Sequence, residues 1–271
     1  MRRLVLLMLV VAGLVPAMAR GVHAADSILT DVLRRGTVRI AVSLGNPPYR
    51  YEDENGNLTG FDIDIANLLA KKLGVTIEWV KTDTAGRVAM LQTKKADITV
   101  AAFTPNLERL KTVGFTDPYL TDVLSLLSKA DNKDMVKVAD FNKSDVKVAI
   151  PRGSTAAQAI ASTLPKATVV ELQGYADAVA ALDAGQVQAM CSGDGFVNWT
   201  AKNSNGKYRN AGPLATPEDD AIGFPQGDFV WWLWLNRFVR EINEDGTNYT
   251  LWQKWFGDAP MPPFYKAPAK L

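Results

Sequence analysis

One stretch of this chain combines a hydroxyl, free backbone groups and a guanidinium at a spacing suited to gripping an anion. It reads Ala101-Ala102-Phe103-Thr104-Pro105-Asn106-Leu107-Glu108-Arg109, followed by Val113-Gly114-Phe115-Thr116-Asp117-Pro118-Tyr119. A strand ending in small residues offers its backbone and the Thr104 hydroxyl, and Arg109, one turn later, can reach back over them. The planar fork of a guanidinium matches the two oxygens of a carboxylate. The same spacing also accommodates an ordinary surface arginine paired with Glu108 or Asp117. A second candidate is Gly153-Ser154-Thr155, a turn that opens a helix, because a helix N-terminus favours an anion. N-capping by Ser154 or Thr155 is compatible with that role.

The scarce residues exclude whole classes of chemistry. The single histidine is His23 and the single cysteine Cys191. Without a histidine beyond residue 23 there is no Ser-His-Asp triad, Cys-His pair or His-based zinc site, and one cysteine makes no internal disulfide. No cofactor or metal is expected. Cys191 lies in the apolar run Val187-Gln188-Ala189-Met190-Cys191 and reads as a small buried hydrophobe.

These residues must be positioned by alternating strands and helices. A strand is expected over 37–42 and a helix over 61–73, with Ile65, Leu68, Leu69 and Leu73 at helical spacing and Gly74 as a left-handed cap. Strand 75–80, helix 87–94 and strand 96–102 follow, the alternation that builds parallel sheets from βαβ units. The plan then repeats. Val38-Arg39-Ile40-Ala41-Val42 with Gly45-Asn46 is echoed by Val146-Lys147-Val148-Ala149-Ile150 with Gly153-Ser154. Two α/β lobes are expected, with a cleft between them lined by the loops after the strands: residues 43–49, 82–87, 102–109, 152–155 and 192–195.

The start of the chain reads differently. Arg2 and Arg3 precede an apolar run from Leu4 to Val15, then Pro16 and an Ala-x-Ala-like end at Val22-His23-Ala24-Ala25. This is the pattern of a secretory signal peptide over 1–25, too short in its apolar part to span a membrane. Its removal leaves about 246 residues and takes away Arg2, Arg3 and Arg20, so the net charge of +1 falls to near −2. Interspersed charges of that balance do not point to nucleic acid. An exported, periplasmic monomer is expected. Trp231-Trp232-Leu233-Trp234, followed by Leu235, Phe238, Val239 and Ile242, reads as a core-facing helix with a partly exposed face.

The runs GNLTGFDIDIANLLAKKLG and LQTKKADITVAAFTPNLERLKTVGFTDPY resemble the bacterial extracellular solute-binding proteins of family 3, the amino-acid-binding components of ABC transporters. VKVAIPRGSTA, ALDAGQVQAM and the C-terminal LWQKWFG-DAPMPP fit the same family. The resemblance implies the two-lobed, type II periplasmic-binding-protein fold, each lobe a mixed, mostly parallel sheet flanked by helices. Residues 26–121 with 226–271 would form lobe 1 and 122–225 lobe 2, joined by hinge crossings near 121–123 and 223–226. It implies that Arg109 grips a ligand α-carboxylate, that Thr104 and the Ala102 backbone assist, and that Ser154 and Thr155 close from the other lobe.

The first-strand loop, with Ser43, Asn46 and Tyr49, would add side-chain contacts, and Tyr175 is counted with them; Tyr49 reads equally well as a core residue. Arg87 resembles the arginine that holds an acidic side chain, or else is a solvated helix-start residue. The aspartate that normally pairs with the ligand ammonium is missing: Gly193 stands there, and Asp194, one position later, is expected to replace it. The expected function is capture of a polar or acidic amino acid for a membrane permease. The alternative is an enzyme on the same scaffold, resembling cyclohexadienyl or arogenate dehydratase, with Glu171 or Asp194 as general acid.

Overall fold

The computed structural model describes residues 27–214 and 216–268, so the expected signal peptide at 1–25 lies outside them. The first half runs α1 (Ile28–Arg35), β1 (Thr37–Val42), the short pair β2 (Tyr51–Glu52) and β3 (Leu58–Thr59), α2 (Phe61–Leu73), β4 (Thr76–Lys81), α3 (Gly86–Gln92), β5 (Ile98–Phe103), α4 (Leu107–Leu110) and β6 (Val113–Asp122). The second continues with β7 (Leu124–Lys129), β8 (Lys147–Pro151), α5 (Ala156–Thr163), β9 (Thr168–Leu172), α6 (Tyr175–Asp183), β10 (Ala189–Gly193), α7 (Asp194–Lys202) and β11 (Tyr208–Pro213). The chain then returns through β12 (Glu218–Pro225), α8 (Phe229–Glu244) and α9 (Thr247–Phe256).

The two principal sheets have five strands each, in the orders β4-β1-β5-β12-β6 and β11-β7-β10-β8-β9. The repeat read from the sequence is real in space. In one lobe β1 is the central parallel strand between β4 and β5, and in the other β8 holds the same place between β9 and β10. Each parallel trio then meets an antiparallel strand, β12 against β5 and β7 against β10. Apolar residues of these strands, Val38, Ile40, Ile98 and Val100 in one lobe and Val148, Ile150 and Ala189 in the other, are buried. The α2 helix begins and ends as its periodicity predicts, and Gly74 caps it at φ 71°. Trp231 is fully buried on α8 while Leu233 is 54% exposed, the half-buried face expected of the tryptophan run.

One boundary differs from expectation. The first crossing is at Val123, between β6 and β7, but β12 pairs with β5 and β6 and so belongs to lobe 1. The second crossing therefore lies between Pro213 and Glu218, not near 223–226. Gly223 and Pro225 read as punctuation in the sequence, yet they sit inside a paired strand. The correction matters because it brings Glu218 and Asp220 from lobe 1 to the cleft.

Candidate functional site

Strand ends from both lobes enclose a cavity of about 60 Å³, room for a few water molecules. Thr104 and Arg109 form one wall. The Arg109 Nη1 donates to the Thr104 carbonyl at 2.7 Å and its Nη2 crosses to the Gly153 carbonyl of lobe 2 at 2.8 Å. Arg87 lies beside it, buried, with Nε on the Thr84 carbonyl and Nη1 on the Ala101 carbonyl. Both guanidinium carbons stand over the Phe103 ring, at 4.6 Å for Arg87 and 4.5 Å for Arg109. Burial pushes both pKa values down, and for Arg87 the neighbouring charges of Arg109 and Arg50 add to the effect. A desolvated cation pair of this kind favours an incoming anion.

Lobe 2 supplies the opposite wall. Gly153 adopts φ 80° and its Cα approaches lobe 1 so closely that a Cβ would lie 2.7 Å from Ala85 Cα. Thr155 is the N-cap of α5, but its side chain makes no capping bond and donates instead to Glu218 Oε2 at 2.9 Å across the cleft. The Ser154 Oγ is buried without a partner. Capping therefore does not occupy these two hydroxyls. Tyr175 bridges the lobes, its hydroxyl receiving Asn46 Nδ2 and Arg50 Nη2, each at 3.2 Å.

Three carboxylates share this cavity: Asp122 at the end of β6, and Glu218 and Asp220 on β12. Asp220 accepts the Thr104 hydroxyl at 3.0 Å, and Asp122 accepts the Tyr49 hydroxyl at 2.6 Å. Burial, reinforced by the Asp122 charge, pushes Asp220 up to about 8. Burial pushes Asp122 up to about 6, against the opposing Tyr49 hydrogen bond. None of the three was singled out from the sequence. For Glu218 and Asp220 the signal is the unbroken acidic run Glu218-Asp219-Asp220, obscured by the expectation that residues 122–225 belong to lobe 2.

Eight of the expected residues thus line the cavity: Arg109, Thr104, Ala102, Ser154, Thr155, Asn46, Arg87 and Tyr175. Ala102, at φ 40°, turns its N–H to the Tyr119 hydroxyl at 3.0 Å, so that donor is not free for a ligand. Three of the expected residues stand elsewhere. Ser43 is buried behind the wall, where its carbonyl accepts Arg50 Nε. Tyr49 is 1% exposed and serves Asp122 rather than forming an aromatic platform. Asp194 faces away: its carboxylate accepts Ser125 Oγ, Asn210 Nδ2 and Asn198 Nδ2 at 2.7, 2.8 and 2.6 Å. An aspartate at the first position of α7 is held by neighbours on its own lobe and does not line the cavity, where it was expected to meet a ligand ammonium. Glu171, on the edge strand β9, is exposed and does not line the cavity. Cys191 is fully buried, and its thiol pKa is raised by burial, as suits an inert hydrophobe.

The family model of the bacterial extracellular solute-binding proteins, family 3, matches residues 38–258. The chain belongs to that family. Among curated relatives, the L-cystine-binding protein TcyJ of Escherichia coli (strain K12) is 27% identical over 253 residues, covering 90% of this chain and 92% of that one. The glutamine-binding protein GlnH of Bacillus subtilis (strain 168), an ABC transporter component, is 31% identical over 209 residues, 76% of each chain. Among solved structures, an ancestral amino-acid-binding protein described as a precursor of cyclohexadienyl dehydratase superposes with a TM-score of 0.79 at 37% identity, covering 85% of this chain and 100% of that one. An ancestral arginine-binding protein bound to arginine gives 0.76 at 31% identity, covering 82% and 99%. The fold is the type II periplasmic-binding-protein fold, and this family of binding proteins serves amino-acid transport. Among the described residues no helix is long and apolar enough to cross a membrane.

Proposed function

We propose that this protein captures an amino acid between its lobes outside the cytoplasm and presents it to an ABC transporter permease. The observation that carries the reading is Arg109: a partly desolvated guanidinium at the lobe interface whose two Nη bonds both go to backbone carbonyls. A ligand α-carboxylate would meet this fork together with the Ser154 and Thr155 hydroxyls at the N-terminus of α5. With about 60 Å³ enclosed, ligand enters when the lobes part about the crossings at Val123 and 213–218 and is retained when they close. Relatives that bind cystine, glutamine and arginine support an amino acid as the cargo.

The test is calorimetry with a panel of amino acids on wild type and Arg109→Ala. The variant should fold and melt like wild type yet bind its best amino acid about 30-fold or more weakly, the loss expected when one partner of a buried charge pair is removed. Unchanged affinity in the variant would reduce Arg109 to a lobe-bridging residue. A second reading, catalysis on this scaffold, is favoured by one observation, the buried Asp220 carboxyl that lines the cavity beside Asp122 and Glu218.

A further inference from the structure

An amino acid brings an ammonium as well as a carboxylate, and lobe 2 has no side chain to meet it where β10 ends. Gly193 stands there, and the reason is visible: a Cβ at that position would lie 2.0 Å from Asp122 Oδ2. The Asp122 carboxylate, arriving from the hinge end of β6, fills the volume that a side chain on β10 would take. Glu218 and Asp220 reach the same cavity from β12, the adjoining strand of lobe 1. A neutral acceptor accompanies them. Asn46, only 4% exposed, lines the cavity, and its Oδ1 is buried with no hydrogen-bond partner although its Nδ2 is engaged by Tyr175. A buried acceptor left unpaired is costly, and only a donor relieves it.

We propose that the cationic nitrogen of the ligand is held by Asp122, Glu218 and Asp220 with Asn46 Oδ1, from lobe 1 and the hinge rather than from lobe 2, and that this set selects an amino acid of net positive charge. The proposal rests on the amino-acid reading of the cleft. The cavity holds three carboxylates against two guanidiniums, Arg87 and Arg109, so in full ionisation it carries one uncompensated negative charge. A ligand with one carboxylate and two cationic nitrogens neutralises it. A zwitterion leaves one carboxylate to be neutralised by a proton, and an acidic amino acid leaves two. The expectation of an acidic side chain is therefore replaced, and Arg87, already bonded to the Thr84 and Ala101 carbonyls, acts as part of the wall.

A coupled proton follows. Asp220 faces the charges of Asp122, Asp62 and Arg87 and the Thr104 hydroxyl, and its own charge reaches Arg109, Tyr49 and Tyr119. In that setting its carboxyl holds a proton up to about pH 8. Burial is the main cause of that hold, and an arriving cation opposes it by favouring the ionised carboxylate, so binding near pH 7 should release about one proton per ligand.

Calorimetry on the mature protein at about pH 7, in two buffers of different ionisation enthalpy, reads both effects. The probes are L-arginine, L-glutamine and L-glutamate, and the variants are Asp220→Asn, Asp122→Asn and Arg109→Ala. Wild type should prefer arginine and release about one proton with it; Asp220→Asn should bind arginine about 30-fold or more weakly and release none. Thermal melting of Asp220→Asn close to wild type shows that the loss is local. Preference for glutamine or glutamate overturns the charge selection. Arginine binding that is lost in Arg109→Ala but unchanged in both aspartate variants overturns the acid set while leaving the amino-acid cleft standing. If wild type binds none of the panel and Arg109→Ala alters nothing, the reading of the cleft itself falls.

Discussion

At the scale of single residues, the cleft depends on groups that never touch its contents. Arg50 and Asp62 are both fully buried and joined at 2.8 Å; Asp62 also accepts the Tyr119 hydroxyl at 2.7 Å, and that hydroxyl accepts the N–H of Ala102. This chain of bonds holds Ala102 in its left-handed conformation at the lip of the cavity, and Arg50 extends it to Tyr175 of the other lobe. Asp220 is the residue with two possible fates. A carboxyl protonated near neutral pH is what a general acid requires, but it is equally what an acid awaiting a cation looks like. Of the two residues expected as alternative general acids, Glu171 is exposed and Asp194 is bound on its own lobe, so neither stands in the cavity to act on a substrate. Prephenate and arogenate incubated with the protein should therefore emerge unchanged by mass spectrometry. Turnover that disappears in Asp220→Asn would move the protein to the enzyme class.

At the scale of elements, the lobes meet by close approach of backbone at the turn after β8. A methyl group on Gly153 would collide with Ala85 of the other lobe and would also burden a residue at φ 80°. The collision exists only between lobes, so Gly153→Ala should leave each lobe folded with a loss of about 1–2 kcal/mol from the left-handed backbone, seen in urea unfolding. Its main effect should be on ligand affinity, weakened about tenfold or more because closure is obstructed. Equal affinity for wild type and variant would mean that this contact is not part of the binding-competent form. Much of this level was legible in advance. The β1 and β8 echo, the α2 helix with Gly74, and the strand-end placement of Thr104, Arg109 and Ser154 all follow from local periodicity and turn chemistry. The misplaced β12 was not legible, because its glycine and proline imitate a break and its partners β5 and β6 lie far back in the sequence, from Glu218 paired with Asp122 to Pro225 paired with Val113. Glu218 and Asp220 are hidden with it, and Asp194 is the expected ammonium partner only because it adjoins Gly193 in sequence, whereas Asp122 adjoins Gly193 in space.

At the scale of the whole molecule, the buried acids tie lobe closure to pH. In the closed cavity Asp220 is raised to about 8 and Asp122 to about 6. When the lobes part, both carboxyls regain water and return toward the ordinary value of about 4. The closed form thus binds these protons more tightly than the open form. Below about pH 4 both forms are protonated and closure keeps its full advantage; as pH rises from about 4 to about 8 the open form sheds its protons first and the advantage is lost; above that nothing further changes. Small-angle scattering of ligand-free protein should show the radius of gyration growing from about pH 5 to about pH 8 and then levelling. Asp220→Asn should remove most of the growth, since an amide cannot titrate, and saturating arginine should hold the wild type compact throughout by supplying the missing positive charge. A wild-type radius that stays at its low-pH value across the range would show that closure does not depend on protonating Asp220, and would separate the shape of the molecule from the charge of its cavity.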